Sequence, residues 1–141
     1  MADSPTMSDG SGDLNGGTVF DGADAVAEVT ALSDRYEEAL VGNDVATLDA
    51  LFADDDRVLR FGLADMQRGK GELVAWRASA PAVNPRRRIV TRDVTALAVD
   101  VVAVDLTFVD EPRATGRQSQ TWVRGRDGYR IVRAHVSIVR D

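Results

Sequence analysis

Apolar residues in the first part of the chain recur at the spacing of an α-helix. Between positions 24 and 41 they form one stripe, which predicts an amphipathic helix that Gly42-Asn43 ends. A second, shorter helix is predicted for 47–53, where the apolar residues again share one side. The segment 72–80 also has a helical pattern, and Pro81 stops it. Three helices are therefore predicted, all before position 81.

The remainder of the chain has the composition and alternation of β-strands. A short strand is predicted for 57–62, between the second and third helices. Four longer β-rich runs then follow one another, at 87–99, 101–109, 115–124 and 129–139. The tripeptide Arg126-Asp127-Gly128 predicts a tight hairpin between the last two. Helices gathered before a meander indicate an α+β fold, in which three N-terminal helices close a curved antiparallel sheet into a cone with a hollow pocket.

Composition limits the number of domains and the classes of function. The 141 residues, of which 44% are hydrophobic, suffice for one domain with a sizeable core. Residues 1–22 contain few apolar side chains, so we expect a disordered tail before a single domain at 23–141. The net charge of -6 argues against a general nucleic-acid binder. Without cysteine, a membrane-length apolar run or a signal pattern, the chain is expected to be cytoplasmic and free of membrane.

Standard catalytic motifs are missing from the sequence. It has no Gly-rich phosphate loop and no nucleophile elbow, and one histidine without cysteine is a poor basis for a zinc site. The run Asp54-Asp55-Asp56 is expected to end a helix at the surface. We therefore predict neither a cofactor nor a metal.

The last two strands carry the most informative polar residues. Strict alternation places Gln118, Gln120 and Trp122 on one face of the predicted hairpin. In the final strand, alternation separates a mixed row (Tyr129, Ile131, Arg133, His135, Ser137) from an apolar row (Val132, Ala134, Val136, Ile138). A half-buried strand would turn the apolar row inward and leave His135 in solvent. Alternatively, the sheet is covered on both sides, with His135 in the pocket and the apolar row against a partner subunit.

Three further side chains have both a structural and a functional interpretation. Arg60 interrupts the apolar strand, either as an exposed alternate position or as a buried cation that needs an anion. Tyr36 lies on the apolar stripe of the first helix, as a core tyrosine or as a pocket hydroxyl. Arg77 closes the third helix, where it could complement the helix dipole or bind a ligand.

Several short segments together resemble a known family. In order they are Arg60-Phe61-Gly62, Gly69, Trp76-Arg77, the run from Gly116 to Trp122, and Ala134-His135-Val136-Ser137. They resemble the AtzH-like family of the nuclear transport factor 2-like (NTF2-like, SnoaL-like) superfamily, which also contains SnoaL-type cyclases and ketosteroid isomerase. The resemblance covers roughly residues 24–140.

This resemblance implies a function and a set of site residues. Family members are encoded near amidases of nitrogen catabolism, and the best-understood type hydrolyses dicarboxyurea to allophanate. By motif, the family's catalytic pair falls on Tyr36 and Arg60, and the substrate-binding residues would be Arg77, Gln118, Gln120 and His135. The implied partners are a small anionic substrate, further copies of the chain in a homodimer or larger oligomer, and a neighbouring amidase.

The chain also departs from the family pattern at three positions. Asp65 stands where the family usually has Glu, Ala80 where it often has a second Arg, and Arg133 where it usually has a small residue. These changes suggest an altered anion site.

Three functional hypotheses remain open at this point. In the first, the chain hydrolyses a carboxylated urea or amide, and Arg60 lowers the pKa of Tyr36 so that its hydroxyl can donate a proton. In the second, it is a non-catalytic anion-binding or accessory subunit of an amidase, which would need the pocket but not the hydroxyl. In the third, it is an isomerase or cyclase, although no acidic residue stands out as the general base.

Overall fold

Three helices precede the four long strands of the sheet, as predicted. The computed structural model of the protein describes residues 22–141, so the tail predicted for 1–22 lies outside the described residues except for Gly22. The helices are α1 (Ala23–Gly42), α2 (Val45–Leu51) and α3 (Gly69–Arg77). Asn43 ends α1 in the left-handed conformation, with φ 52°, and Asp44 caps α2 by accepting a hydrogen bond from the Thr47 backbone N–H. None of the described helices is long and apolar enough to cross a bilayer.

A six-stranded, curved and unclosed sheet forms the other layer. Its strands are β1 (Leu59–Phe61), β2 (Met66–Arg68), β3 (Arg88–Ala98), β4 (Val101–Val109), β5 (Ala114–Gly125) and β6 (Gly128–Arg140). Their order is β2-β1-β6-β5-β4-β3, and only the β1–β6 pair is parallel. The predicted α+β fold is confirmed. The three-residue strand β2 was not predicted, because so short a segment has no recognisable alternation.

The hydrophobic core lies between the helices and the inner face of this sheet. Val29 of α1 and Leu73 of α3 are fully buried there, opposite Val102, Trp122 and Ile131 of the sheet. The same inner face, toward the other end of the strands, lines a cavity.

A β-bulge in β6 decides which side chains face that cavity. Trp122 is opposite Ile131, whereas Thr121 is opposite Arg133, so Val132 is the extra residue. An extra residue shifts every following side chain to the other face of the sheet. Tyr129 and Ile131 therefore point inward before the bulge, and Ala134, Val136 and Ile138 point inward after it.

The bulge corrects two predictions. The mixed and apolar rows of β6 do not run unbroken along the strand, because each changes face at Val132. Ala134, Val136 and Ile138 line the cavity, so they do not form an apolar row against a partner subunit. His135 is opposite Ser119 and Phe61 on the outer face and is exposed, as the half-buried interpretation of β6 had it.

Candidate functional site

The candidate site is a cavity of about 300 Å³ between the helices and the sheet. Helices α1 and α3 form one side, strands β1, β5 and β6 form the other, and the loop 80–84 borders it. All six residues proposed from the sequence are among its lining residues: Tyr36, Arg60, Arg77, Gln118, Gln120 and His135. His135 differs from the others, because its ring packs edge-on against Phe61 at 5.5 Å between ring centroids, on the outer face.

Arg60 is held in place by an ion pair and an aromatic ring. Its Nη1 donates to Asp65 Oδ1 at 2.8 Å and to Gln67 Oε1 at 2.9 Å, and its Cζ lies 4.0 Å from the centroid of a Trp76 ring. Gly62 makes room for the pair, since a Cβ there would stand 2.2 Å from Asp65 Oδ1. Neither Nε nor Nη2 of Arg60 bonds to another residue of 22–141, so this edge of the guanidinium can receive a ligand.

Arg77 is more deeply buried than Arg60. Its Nε donates to Asp49 Oδ1 at 2.8 Å, which joins the end of α3 to α2. Its Nη2 is buried and has no hydrogen-bond partner within the described chain. A buried donor without an acceptor is costly, and in a cavity wall it marks a place for an acceptor on a ligand.

Gln120 supplies a second donor of this kind. Its Oε1 accepts a hydrogen bond from Trp122 Nε1 at 3.1 Å, while its Nε2 is buried without a partner in residues 22–141. The neighbouring Gln118 is fully engaged, because Arg87 donates to its Oε1 and its Nε2 donates to Glu37. The two glutamines, equivalent in the sequence pattern, thus differ: Gln120 is available to a ligand and Gln118 is part of a network.

Tyr36 projects from α1 and is 5% exposed. Burial raises the pKa of its hydroxyl above the ordinary value of 10.0, although the charges of Arg77 and Arg60 oppose the increase. The prediction that Arg60 brings the pKa of Tyr36 below its ordinary value is therefore wrong, because desolvation exceeds the effect of the cations. The hydroxyl remains protonated at neutral pH.

Comparison with known protein families identifies the family of this chain. The model of the AtzH-like family matches residues 18–141. The chain belongs to the AtzH-like family. No curated protein matches the sequence.

Several solved structures are similar to this chain over most of its length. The chain is 37% identical to a cystatin-like fold protein from Burkholderia xenovorans LB400, with a TM-score of 0.79 over 84% of this chain and 94% of that one. A DUF3225-family protein of unknown function from Pectobacterium atrosepticum is 40% identical, with a TM-score of 0.78 over 83% and 92%. An NTF2-like protein of unknown function from Pseudomonas putida is 18% identical over 81% and 86%, with a TM-score of 0.67, and shows the shared fold.

The three departures from the AtzH-like pattern lie in different surroundings. Asp65 and Ala80 line the cavity, and Asp65 contacts Arg60 directly. Arg133 is exposed on the outer face, where its Nη1 donates to the backbone carbonyls of Arg57 and Val132. Arg133 is therefore not a new cation of the cavity, and the expectation that it alters the anion site is wrong for this residue.

Sequence reasoning missed the buried network behind the AtzH-like cavity. Arg87 donates to Glu37 through Nε at 2.9 Å and through Nη2 at 3.2 Å, and its Cζ lies 3.7 Å from the centroid of the Phe108 ring. Both charged side chains are largely buried. No local pattern signals this contact, although a glutamate beside Tyr36 on the inner side of α1 is a weak indication. Among residues 22–141, no group of three potential metal ligands occurs.

Proposed function

We propose that the cavity binds a small carboxylated urea or amide and that the protein hydrolyses its C–N bond. One observation carries the proposal: two buried donors, Arg77 Nη2 on the helix side and Gln120 Nε2 on the sheet side, line the same cavity and lack acceptors within the described residues. Carboxylate and urea oxygens are acceptors, so such a ligand would satisfy both groups. Arg60 adds a free guanidinium edge suited to a two-pronged contact with a carboxylate.

Tyr36 is the proposed proton donor. The C–N bond between the carboxylate carbon and the urea nitrogen breaks, and its electron pair goes to the nitrogen, which takes the hydroxyl proton. The carboxylate leaves as carbon dioxide, whose hydration to bicarbonate releases the proton that returns to the tyrosinate. Arg77 and Arg60 favour the charged form of Tyr36, so they would stabilise the transient anion.

A second function, binding without catalysis, is favoured by the raised pKa of Tyr36. A hydroxyl that burial makes less acidic is a slower proton donor, yet it remains a good hydrogen-bond donor. In that case the protein would hold a small anion for a neighbouring amidase. The isomerase hypothesis finds less support, because Asp65, the carboxylate that contacts Arg60, is already engaged by Arg60 and Gln67.

Two pairs of variants test the hydrolase. Tyr36→Phe is expected to bind the substrate and lose turnover, whereas Tyr129→Phe, at a buried tyrosine outside the cavity lining, keeps both. Arg60→Ala is expected to lose binding by several kcal/mol, and Arg57→Ala, at an exposed arginine, to have no effect. Turnover is followed as bicarbonate release from carboxylated ureas, and binding by calorimetry.

The outcomes separate the two functions. Equal turnover by Tyr36→Phe and the wild type would remove the catalytic role of Tyr36. Binding without turnover in the wild type, lost only in Arg60→Ala, would establish the accessory function. The proposed setting is the cytoplasm, in nitrogen catabolism and without a cofactor; a neighbouring amidase gene would support it, and a polyketide gene cluster would favour a cyclase.

A further inference from the structure

The inner face of the sheet changes character along the cavity. In the strand register, Arg60, Ala134 and Gln120 form one row across β1, β6 and β5. Two residues toward the C-terminal end of β6, Val136 is opposite Gln118. Two residues further in the same direction, Ile138 is opposite Gly116. Arg60 and Gln120 thus lie toward one end of the sheet's inner face, and beyond Gln118 that face is apolar. The polar residues Asn84, Arg87 and Asp110 border this apolar end from the segments next to β3 and β4.

Phe108 closes the apolar end. It is opposite Gly116 in the register and 2% exposed, and a Cβ on Gly116 would stand 2.1 Å from Phe108 Cζ. The ring therefore lies over the space that a side chain at Gly116 would occupy. With Ile138 and Val83 it forms a hydrophobic surface in the cavity wall.

The cavity arginines all have carboxylate partners, but Arg60 and Arg77 use one nitrogen each for theirs, whereas Arg87 uses two. Arg60 pairs with Asp65 at 2.8 Å, Arg77 with Asp49 at 2.8 Å and Arg87 with Glu37 at 2.9 Å. Arg87 lies nearest to the apolar end, since its guanidinium stacks on Phe108. Its Nε and Nη2 both donate to Glu37, so the protein itself already neutralises this cation. A second carboxylate on the ligand would meet this compensated cation and an apolar wall, where an unpaired charge is costly to desolvate.

We infer, on the basis of the proposed function, that the ligand carries one anionic or ureido head and an apolar substituent in place of a second carboxylate. The head accepts hydrogen bonds from Arg77, Gln120 and Arg60. The substituent extends along β6 past Val136 to the surface formed by Ile138 and Phe108. The substrate class is accordingly an N-alkyl or N-acyl carboxylated urea or amide rather than a dicarboxylate.

Binding of stable carboxylates to the full chain tests this inference. The probes are acetate, butanoate and hexanoate, compared with succinate and adipate, by calorimetry at constant ionic strength. We expect affinity to rise up to about fourfold per methylene through the monocarboxylates, and hexanoate to bind more tightly than adipate. If the dicarboxylates bind as tightly as the monocarboxylates or more so, this inference fails and the proposed function stands. If no carboxylate binds, both fail.

A positive charge at the apolar end should shift the preference from monocarboxylates toward dicarboxylates. Ile138→Lys places an ammonium group there, so adipate is expected to gain at least about tenfold over hexanoate relative to the wild type. Val139→Lys adds the same charge on the opposite face, at an exposed residue, and should leave the preference unchanged. Melting temperatures show whether both variants fold. If Ile138→Lys unfolds, Ile138→Thr replaces it, and this variant should reduce the dependence of monocarboxylate affinity on chain length. If the affinity of adipate relative to hexanoate is the same in all three variants and in the wild type, the inference is overturned.

Discussion

Trp122 fixes the orientation of the Gln120 side chain. The indole Nε1–H donates to Gln120 Oε1 at 3.1 Å, and both residues point to the inner face of β5. An indole nitrogen can donate but cannot accept, so the amide oxygen must face the indole. The amide nitrogen is thereby directed away from Trp122 as a buried donor that has no partner in the described chain.

Gln120→Glu should therefore weaken anion binding while preserving the fold. Glutamate keeps the acceptor for Trp122 and nearly the same shape, but it replaces the donor by a charged acceptor. We expect carboxylate affinity to fall at least about tenfold, measured by calorimetry, with a cooperative thermal transition retained. Ser119→Glu adds the same charge on the outer face and should bind normally. Equal losses in the two variants would indicate a general effect of charge.

Asp65 should limit the affinity of the site for anions. It occupies one nitrogen of Arg60 and is itself half-exposed, so Asp65→Asn would leave the Arg60 cation uncompensated and open to a ligand anion. We expect carboxylate binding to tighten by a few-fold, more at low ionic strength. Asp55→Asn, which frees the exposed Arg57, is the matched control. Weaker binding by Asp65→Asn would mean instead that Asp65 mainly orients Arg60.

The sequence pattern was sufficient for the fold but not for the faces of β6. Helical stripes and the strand-rich second half predicted the order of elements, because these patterns are local. The bulge at Val132 depends on how β6 pairs with β5, and one additional valine in a valine-rich strand has no local signature. This is why the inward row after the bulge was assigned to a partner subunit.

The residues that line the cavity were partly predictable from the sequence, and the contacts that support them were not. Arg60 interrupts an apolar strand, Tyr36 lies on the apolar stripe of α1, and both match the family motif, so both could be identified. Their surroundings depend on contacts between distant segments: Glu37 and Arg87 are 50 residues apart in the chain. The net direction of the Tyr36 pKa shift likewise depends on burial, which composition does not reveal.

Alkaline pH should destabilise the fold through its tyrosines. Burial is the main cause that raises the pKa of Tyr36, and of Tyr129, above 10.0. Because the folded-state pKa is higher than the unfolded one, this stabilising contribution is complete below pH 10 and is lost as the pH rises through the folded-state value. We expect the free energy of unfolding to fall above about pH 10, and to fall less steeply in Tyr36→Phe. Urea denaturation at several pH values above about 9 measures the free energy of unfolding, and tyrosinate absorbance follows the ionisation of the tyrosines. An identical dependence of the unfolding free energy on pH in Tyr36→Phe and the wild type would contradict the prediction for Tyr36.

The prediction of a homodimer or larger oligomer now needs a different surface. The outer face of the sheet exposes Arg117, Arg133 and His135, with Asp93 and Asp105 on the neighbouring strands. Two copies that meet through this face can pair opposite charges, and such an assembly weakens in salt. Light scattering at micromolar concentration should give a dimer mass that decreases with added salt. A monomer mass under all conditions would contradict the prediction.

The Glu37–Arg87 pair should be the cavity contact on which stability depends most. Arg87 has a side chain that is 4% exposed, so Glu37→Gln leaves a buried guanidinium without its counter-charge. Removing one member of a buried pair costs about 3–5 kcal/mol, which urea denaturation measures directly. Glu111→Gln breaks the exposed pair with Arg140 by the same substitution and should cost at most about 1 kcal/mol. Glu37→Leu combined with Arg87→Met should cost less than the sum of the two single changes, because neither charge is left unpaired; additive losses would show that the two side chains do not interact as a pair.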